Sequence, residues 1–323
     1  MNKEIKIVVT GGAGFIGSHI VEELNEQGYT NIVIIDDFSD GRKLLNLKTL
    51  KYRRFVSVTD FRDAYQERGL DEELRGAKII FNEGAISSTT ENDGNKLIDQ
   101  NIHSAISLLN WISKNGGVLS HASSASVYGN NQKFSPELKF ESPINPYAMS
   151  KKIVDDIIRN HLESSPLLAV QSWRYFNVYG EREGHKGSMR SMVTKFINDK
   201  PAKIFKNSDK VDRDFIYVKD IAKIKVWAAE KLAQGVLNNS ADEIQKFNGI
   251  FNLGTGESTN VQEMADYIKN KTHKCFKDIP FPQELKGKYQ FKTEADMSNT
   301  PLPTNFKFKT VDEYVDKLFP LPN

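Results

Sequence analysis

The segment Ile5–Thr10 (IKIVVT) runs straight into Gly11-Gly12-Ala13-Gly14-Phe15-Ile16-Gly17, and from Phe15 onward the apolar residues take up helical spacing. A β-branched strand, a glycine turn and a helix in that order leave few folds open. Gly11 permits the tight turn, Gly14 lets a pyrophosphate approach the backbone, and Gly17 lets the helix pack closely on the strand, with the anion at the helix N-terminus. The spacing is GxxGxxG, and the flanking strand and helix are the context that gives it meaning. A dinucleotide site of this kind places a carboxylate at the end of the second strand, about 20 residues beyond the last glycine, where it takes the adenosine ribose hydroxyls. Asp36 stands there. Arg42 and Lys43 follow in the same loop, either as cations for a 2′-phosphate or as a solvated basic loop. Asp60, past the third strand, is either an adenine contact or a turn carboxylate.

The same rhythm continues through the first half of the chain. Short apolar runs at Ile5–Thr10, Ile32–Ile35, Phe55–Val58, Lys78–Phe81, Val118–His121 and Val170–Trp173 read as strands buried on both faces. Helical stretches fill the gaps at Phe15–Gln27, Lys96–Lys114 and Pro146–Leu162, the last with a proline suited to a first turn. Alternation of this kind is the mark of an α/β fold with a doubly wound parallel sheet. Beyond about residue 175 the pattern loosens into Gly- and Lys-rich loops, short strands and proline clusters, as expected of a smaller mixed C-terminal substrate-binding domain. The division is 1–175 for the dinucleotide-binding part and 176–323 mainly for substrate, with some segments returning to the first. The polar stretch Asn238–Asn248 reads as a solvated loop or helix end.

Composition narrows the function. With 44 Lys+Arg against 42 Asp+Glu, the net charge of +2 gives no general pull toward nucleic acid or anionic lipid. Cys275 is the one cysteine, which excludes an internal disulfide and a Cys-rich zinc site, and no metal is called for. No apolar run reaches the roughly 18 residues that span a bilayer. A cytoplasmic protein is expected.

Tyr147-Ala148-Met149-Ser150-Lys151 puts a phenol and an ammonium one helical turn apart on one face. A tyrosine of ordinary pKa near 10 is a poor base at neutral pH, and a neighbouring cation stabilises its phenolate. Tyr267 and Lys271 repeat the spacing far from any cofactor motif and read as a helix surface feature. What sets Tyr147 apart is the fifth strand, which ends in Ser123-Ser124-Ala125-Ser126-Val127-Tyr128-Gly129 at the sheet edge where such folds bind ligands. A serine hydroxyl there can orient a reacting alcohol.

Together TGGAGFIG, ASSASVYG, PYAMSK and RYFNVYG resemble the extended short-chain dehydrogenase/reductase family over essentially the full chain, which implies a Rossmann domain. The resemblance implies Ser124, Tyr147 and Lys151 in catalysis. It places Gly11, Gly14, Phe15, Ile16 and Gly17 at the pyrophosphate, and Asp36, Asp37 and Lys43 at the adenosine end. Glu83, Gly84, Ala85, Ser87, Asn101, Lys151 and Val178 are implied along the rest of the cofactor.

Further segments are similar to the branch of that family that epimerises ADP-linked heptoses at C6 for the lipopolysaccharide inner core. They are FNEGAISSTTE (81–91), EREGHKGSM (181–189), Arg213-Asp214-Phe215 and LKGKYQ (285–290). This likeness implies a tightly held NADP, with Lys186 as a second acid/base opposite Tyr147. It also implies substrate contacts from Ser88, Asn177, Ser188, Lys195, Phe205, Lys206, Asn207, Ser208, Arg213 and Tyr289, and a homo-oligomer with a pentamer as the candidate. Lys195 stands where the branch carries a histidine, and no lysine stands near Val58 for a second 2′-phosphate contact, which leaves NAD open. Rival readings are a 4-epimerase of a UDP- or other nucleotide-hexose and a non-catalytic dinucleotide sensor. A 4,6-dehydratase fits less well, because Ala125 and Ser126 supply no acid and base beside Ser124.

Overall fold

The computed structural model describes residues 1–283, Gly287 and 289–320. Its centre is a seven-stranded sheet made of β1 (Lys6–Thr10), β2 (Ile32–Asp36), β3 (Arg54–Ser57), β4 (Ala77–Asn82), β5 (Val118–Ser124), β6 (Val170–Tyr175) and, much later in the chain, Gly249–Leu253. Every pairing in it is parallel. In space the order runs from Gly249–Leu253 through β6, β5, β4, β1 and β2 to β3, so the direction of winding reverses between β1 and β4. That reversal opens a crevice at the C-terminal ends of the strands.

Alternation along the strands feeds two cores. Ile7, Val9, Ile32, Ile34, Ile79 and Phe81 pack on one face, while Val8, Val33, Ile35, Ile80 and Leu119 pack on the other. Each of these side chains contributes about 1.5–3 kcal/mol by leaving water. Both faces are therefore committed to packing, and the strand ends are left for chemistry. The helix Phe15–Glu26 buries Ile20, Val21 and Leu24 in the first core and lies against the long helix Val218–Leu237.

The strands read from the sequence all form, with ends moved by one to three residues. Two expectations change. The stretch read as one helix over Lys96–Lys114 is a short helix at Gly94–Leu97, a wider π turn at Ile98–His103 and a helix at Ser104–Asn115. In the wide turn the Asn101 amide is buried, accepting from Ile86 N–H at 2.8 Å and donating to Ser150 Oγ at 3.0 Å, which holds the segment against the helix of Tyr147. The stretch read as a solvated loop or helix end at 238–248 contains a separate helix, Ala241–Phe247, capped by Ser240 and anchored by buried Ile244 and Phe247. Asn248 then pins the seventh strand by accepting from Val170 N–H and donating to Leu168 O, both at 2.6 Å.

Three two-stranded sheets complete the fold. They pair β7 (Asn177–Tyr179) with β10 (Phe215–Tyr217), β8 (Ala202–Phe205) with β13 (Phe276–Ile279), and β9 (Asp212–Arg213) with β12 (Thr259–Asn260); Gly249–Leu253 is β11 in this numbering. The helices Met192–Asn198, Val261–Thr272 and Val311–Leu318 share a core with them that includes Phe15 of the glycine turn. Among the described residues no helix is long and apolar enough to cross a membrane.

Candidate active site

The glycine turn is built by close contacts that exclude side chains. Gly11 has φ of +64° and donates its N–H to Ile35 O at 2.7 Å; a Cβ there would lie 2.7 Å from Gly84 N, and a Cβ on Gly17 would lie 2.1 Å from Gly11 O. Gly14 caps the helix without a side-chain hydrogen bond, and no acidic residue occupies the first turn. Phe15, Ile16 and Gly17 of that turn line the crevice, and among the described residues no side chain accepts from their N–H groups, which suits a bound pyrophosphate.

A cavity of about 500 Å³ fills the crevice. Its walls include Gly11, Gly14, Phe15, Ile16, Gly17, Asp36, Asp37, Lys43, Glu83, Gly84, Ala85 and Ser87. Asn101 and Val178 are not part of that wall: the Asn101 amide is spent on Ile86 and Ser150, and Val178 packs against the apolar cores. At the adenosine end the buried Asp36 accepts from Ala13 N–H (2.7 Å) and from Lys43 Nζ (2.8 Å). Arg42 pairs with Asp40 and reaches the carbonyls of Gly184 and His185 instead of the cavity. Asp60 is exposed and takes the Ser57 cap. A residue without a sequence signal of its own, Arg62, lines this end of the cavity from the helix Val58–Asp63 and contacts Asp99 at 3.0 Å. A search for lysine alone near Val58 passes over it.

The helix Pro146–Ser164 starts with Pro146 in its first turn and an Asn145 side chain accepting from Ala148 N–H at 2.8 Å. Tyr147 and Lys151 are both buried on it. Burial pushes the Tyr147 phenol up, and a hydrogen bond with Ser124 works in the opposite direction. Burial pulls the Lys151 ammonium down to about 8, helped by the nearby Lys225 cation and opposed by Glu83 and Asp155. Lys151 donates to Ala122 O at 2.7 Å, which fixes it at the end of β5. Ser124, Tyr147 and Lys151 are not among the residues lining the cavity; Glu83, which lines it, is the carboxylate whose charge favours the Lys151 ammonium.

Two supporting groups are not evident from the motifs. Asp155, one further turn along the same helix face, accepts from Ser123 Oγ (3.0 Å), Ser172 Oγ (2.6 Å) and Arg174 Nε (2.9 Å). Glu183 is buried beside Lys186 and accepts from Ser191 Oγ (2.6 Å) and Thr194 Oγ1 (2.8 Å), tying the 184–189 turn to the helix Met192–Asn198. An acidic residue one turn past Lys151 is the available signal for Asp155.

Lys186 lines the cavity opposite the strand ends, with Nζ 4.8 Å from the centre of the Phe15 ring and 3.5 Å from Glu183 Oε2. Burial lowers its pKa and Glu183 raises it. Lys195 sits in the same field, lowered by burial and by Arg190 and Lys186 against Asp199 and Glu183. Ser188 is exposed on the turn.

The remaining candidate substrate residues lie on the C-terminal elements. Arg213 is buried with its guanidinium 4.3 Å over the Tyr289 ring and makes no ion pair among the described residues. The Tyr289 hydroxyl is buried without a hydrogen-bond partner among the described residues. Phe205 packs edge-on against Tyr289. Asn207 adopts φ of +66° at the head of a short turn, Lys206 donates its N–H to Ile279 O, and Ser208 Oγ donates to Gln262. The Asn177 amide donates to Asp214 O and Thr293 Oγ1, leaving its own oxygen free of those bonds. Ser88 bonds to Thr90 in the loop after β4. Of the LKGKYQ segment, Leu285, Lys286 and Lys288 lie outside the described residues.

A glycine-turn crevice at the strand ends of a Rossmann-like fold marks the place of a dinucleotide. The model of the NAD dependent epimerase/dehydratase family matches residues 7–254, and the chain belongs to that family. Solved structures share its fold. A UDP-N-acetylglucosamine 4-epimerase from Methanobrevibacter ruminantium, in complex with UDP-N-acetylmuramic acid, aligns with a TM-score of 0.78 at 25% identity over 98% of each chain. The Helicobacter pylori ADP-L-glycero-D-manno-heptose-6-epimerase aligns with a TM-score of 0.77 at 23% identity, over 98% of this chain and 96% of that one. A Thermus thermophilus UDP-glucose 4-epimerase in complex with NAD aligns with a TM-score of 0.73 at 24% identity, over 97% and 98%.

Proposed function

We propose that the protein inverts C6 of ADP-D-glycero-D-manno-heptose, giving the L-glycero epimer, through a transient 6-ketone and with no net redox change. The observation that carries this reading is the 184–189 turn. It brings Lys186 to the wall of the nucleotide cavity against Phe15, which offers a proton carrier from an element other than the helix of Tyr147. Inversion through a flat ketone asks for this, since the sugar must be attacked from one face and then the other.

A bound nicotinamide dinucleotide supplies the hydride acceptor and donor. The chain's residues supply the rest. Tyr147 takes or gives the hydroxyl proton, Ser124 orients the oxygen, and the Lys151 ammonium favours the phenolate. Lys186, kept near Glu183, serves the opposite configuration. Arg213, stacked on Tyr289 without a carboxylate partner among the described residues, suits the diphosphate linker, which it can meet with two parallel hydrogen bonds. For the cofactor we favour NADP, because Lys43 and Arg62 both border the adenosine end of the cavity.

A second reading has one specific support. Lys195 stands where a histidine is expected for an ADP-heptose enzyme, which weakens that sugar assignment, and the similar solved structures include 4-epimerases of UDP-sugars. Incubation with ADP-D-glycero-D-manno-heptose, followed by NMR of the C6 configuration, separates the two. Inversion supports the first reading; no inversion, with a UDP-hexose turned over instead, supports the second.

A further inference from the structure

Arg42 and Lys43 follow Asp36 in the loop after β2, yet only Lys43 of the two lines the nucleotide cavity. Asp40 orients the Arg42 guanidinium, accepting from Nε at 3.0 Å and from Nη2 at 2.6 Å. So aimed, Nη1 donates to Gly184 O at 3.3 Å and Nη2 to His185 O at 3.1 Å, across 142 and 143 residues of chain. Further along the same turn, Gly41–Leu47, the buried Asn46 amide donates to Ala13 O of the glycine turn at 2.9 Å and comes within 3.4 Å of His185 Nδ1. The 41–47 and 184–189 turns are therefore clipped together beside the cavity, whose wall includes His185, Lys186 and Met189.

Little else holds the second of these turns. None of the six residues Gly184–Met189 is buried, and Gly187 takes φ of +54° among them. The chain on either side is fixed: Arg182 donates to Ser18 O at 3.0 Å and pairs with Glu22 of the helix Phe15–Glu26, while Ser191 and Thr194 donate to the buried Glu183. Between these anchors, among the described residues, the hydrogen bonds that reach 184–189 from elsewhere in the chain come from Arg42 and Asn46. The Arg42 side chain is itself 59% exposed. A segment with little buried apolar surface, tied at both ends and held at its middle by exposed hydrogen bonds, opens locally without disturbing the rest of the fold.

We propose that Arg42 is a positioning residue of the dinucleotide site: it latches the 184–189 turn to the loop after β2 at the cavity wall, and release of that latch sets the rate at which the dinucleotide leaves. The inference rests on the reading of the cavity as the dinucleotide site. It differs from a direct contact between Arg42 and a 2′-phosphate, because a latch acts alike on a dinucleotide that carries this phosphate and on one that lacks it. Retention matters to an epimerase, whose dinucleotide ends each turnover in the redox state in which it began. The same latch keeps Lys186, next in the chain to His185, at the cavity wall.

The test loads the full chain with NADH in one preparation and NADPH in another, and times exit by the loss of bound-dinucleotide fluorescence when the matching oxidised form is added in excess. Arg42→Met is expected to speed the exit of both by about tenfold, the weight of one or two hydrogen bonds lost. Amide hydrogen exchange on the loaded protein is read alongside. In the variant, exchange is expected to rise in 184–189 and to stay at its native level in the glycine turn, 11–17; general damage to the site would raise both. An unchanged exit rate, faster exit of NADPH alone, or faster exit with exchange in 184–189 unmoved would each overturn the proposal, the second of these by showing a phosphate contact instead of a latch. Neither measurement needs a sugar, so the result stands whatever the substrate. Native protein that neither carries nor takes up a nicotinamide dinucleotide would instead remove the reading of the cavity, and the latch with it.

Discussion

Asp155 and Arg174 meet in a fully buried ion pair, Oδ2 to Nε 2.9 Å, that fastens the helix of Tyr147 and Lys151 to β6. Arg174 is also bound to Glu141 and lies 4.9 Å over the Tyr128 ring. The helix that carries the Tyr147 phenol is thus held by a charge network two turns away from it. Breaking such a pair from one side leaves an unpaired charge in the interior, at a cost of about 3–5 kcal/mol. Asp155→Ala is expected to lower stability by that amount in urea unfolding and to lower kcat through a loosened helix.

Lys151 is expected to show the opposite balance. Its burial pulls the pKa from the ordinary 10.5 to about 8, so below pH 8 the folded protein carries a charge that the unfolded chain would hold more cheaply. The unfolded state binds more protons between about 8 and 10.5, and stability from this group rises with pH across that window. Lys151→Met should therefore melt at a higher temperature than the native protein at pH 7, with the difference shrinking between pH 8 and 10.5. The same variant should lose activity, and the native enzyme should lose it above about pH 8 as the ammonium discharges.

Gly17→Ala tests the turn. The added Cβ would press on Gly11 O, so the turn must open and the helix N-terminus withdraw from the cavity. The expected result is purified protein with little or no bound dinucleotide, measured by absorbance and mass of the nucleotide released on denaturation. That release also reports whether the cofactor carries a 2′-phosphate.

Tyr147→Phe and Lys186→Met address the two proposed proton carriers. Each is expected to lower epimerisation by about a hundredfold or more, the usual weight of a general acid or base, while leaving the cofactor bound. Single-turnover experiments started from each epimer should show the two variants impaired in opposite halves of the reaction.

Much of this architecture is legible in local sequence pattern. Gly11, Gly14 and Gly17 speak through spacing and flanking strand, and Tyr147 and Lys151 through one helical turn. The residues that hold them in place do not. Lys225 meets Glu83 across 142 residues of chain, and Arg174 meets Asp155 across an interval that a helix and a loop occupy. Such partners are chosen by the sheet order, which short-range periodicity does not encode. The strand Gly249–Leu253 lacks a clear sequence signal for a related reason: it joins β6 only after the chain has built β7 to β10 and the long helix.

The central claim is that the carbon-bound hydrogen leaves the sugar as hydride and comes back to the same carbon from the opposite side. Conversion of the nucleotide-sugar in heavy water, with the product read by proton NMR and mass spectrometry, tests it directly. The inverted carbon is predicted to keep its protium, because that hydrogen never enters solvent. Deuterium at the inverted carbon would mean proton abstraction and reprotonation, and would contradict a hydride mechanism at this site.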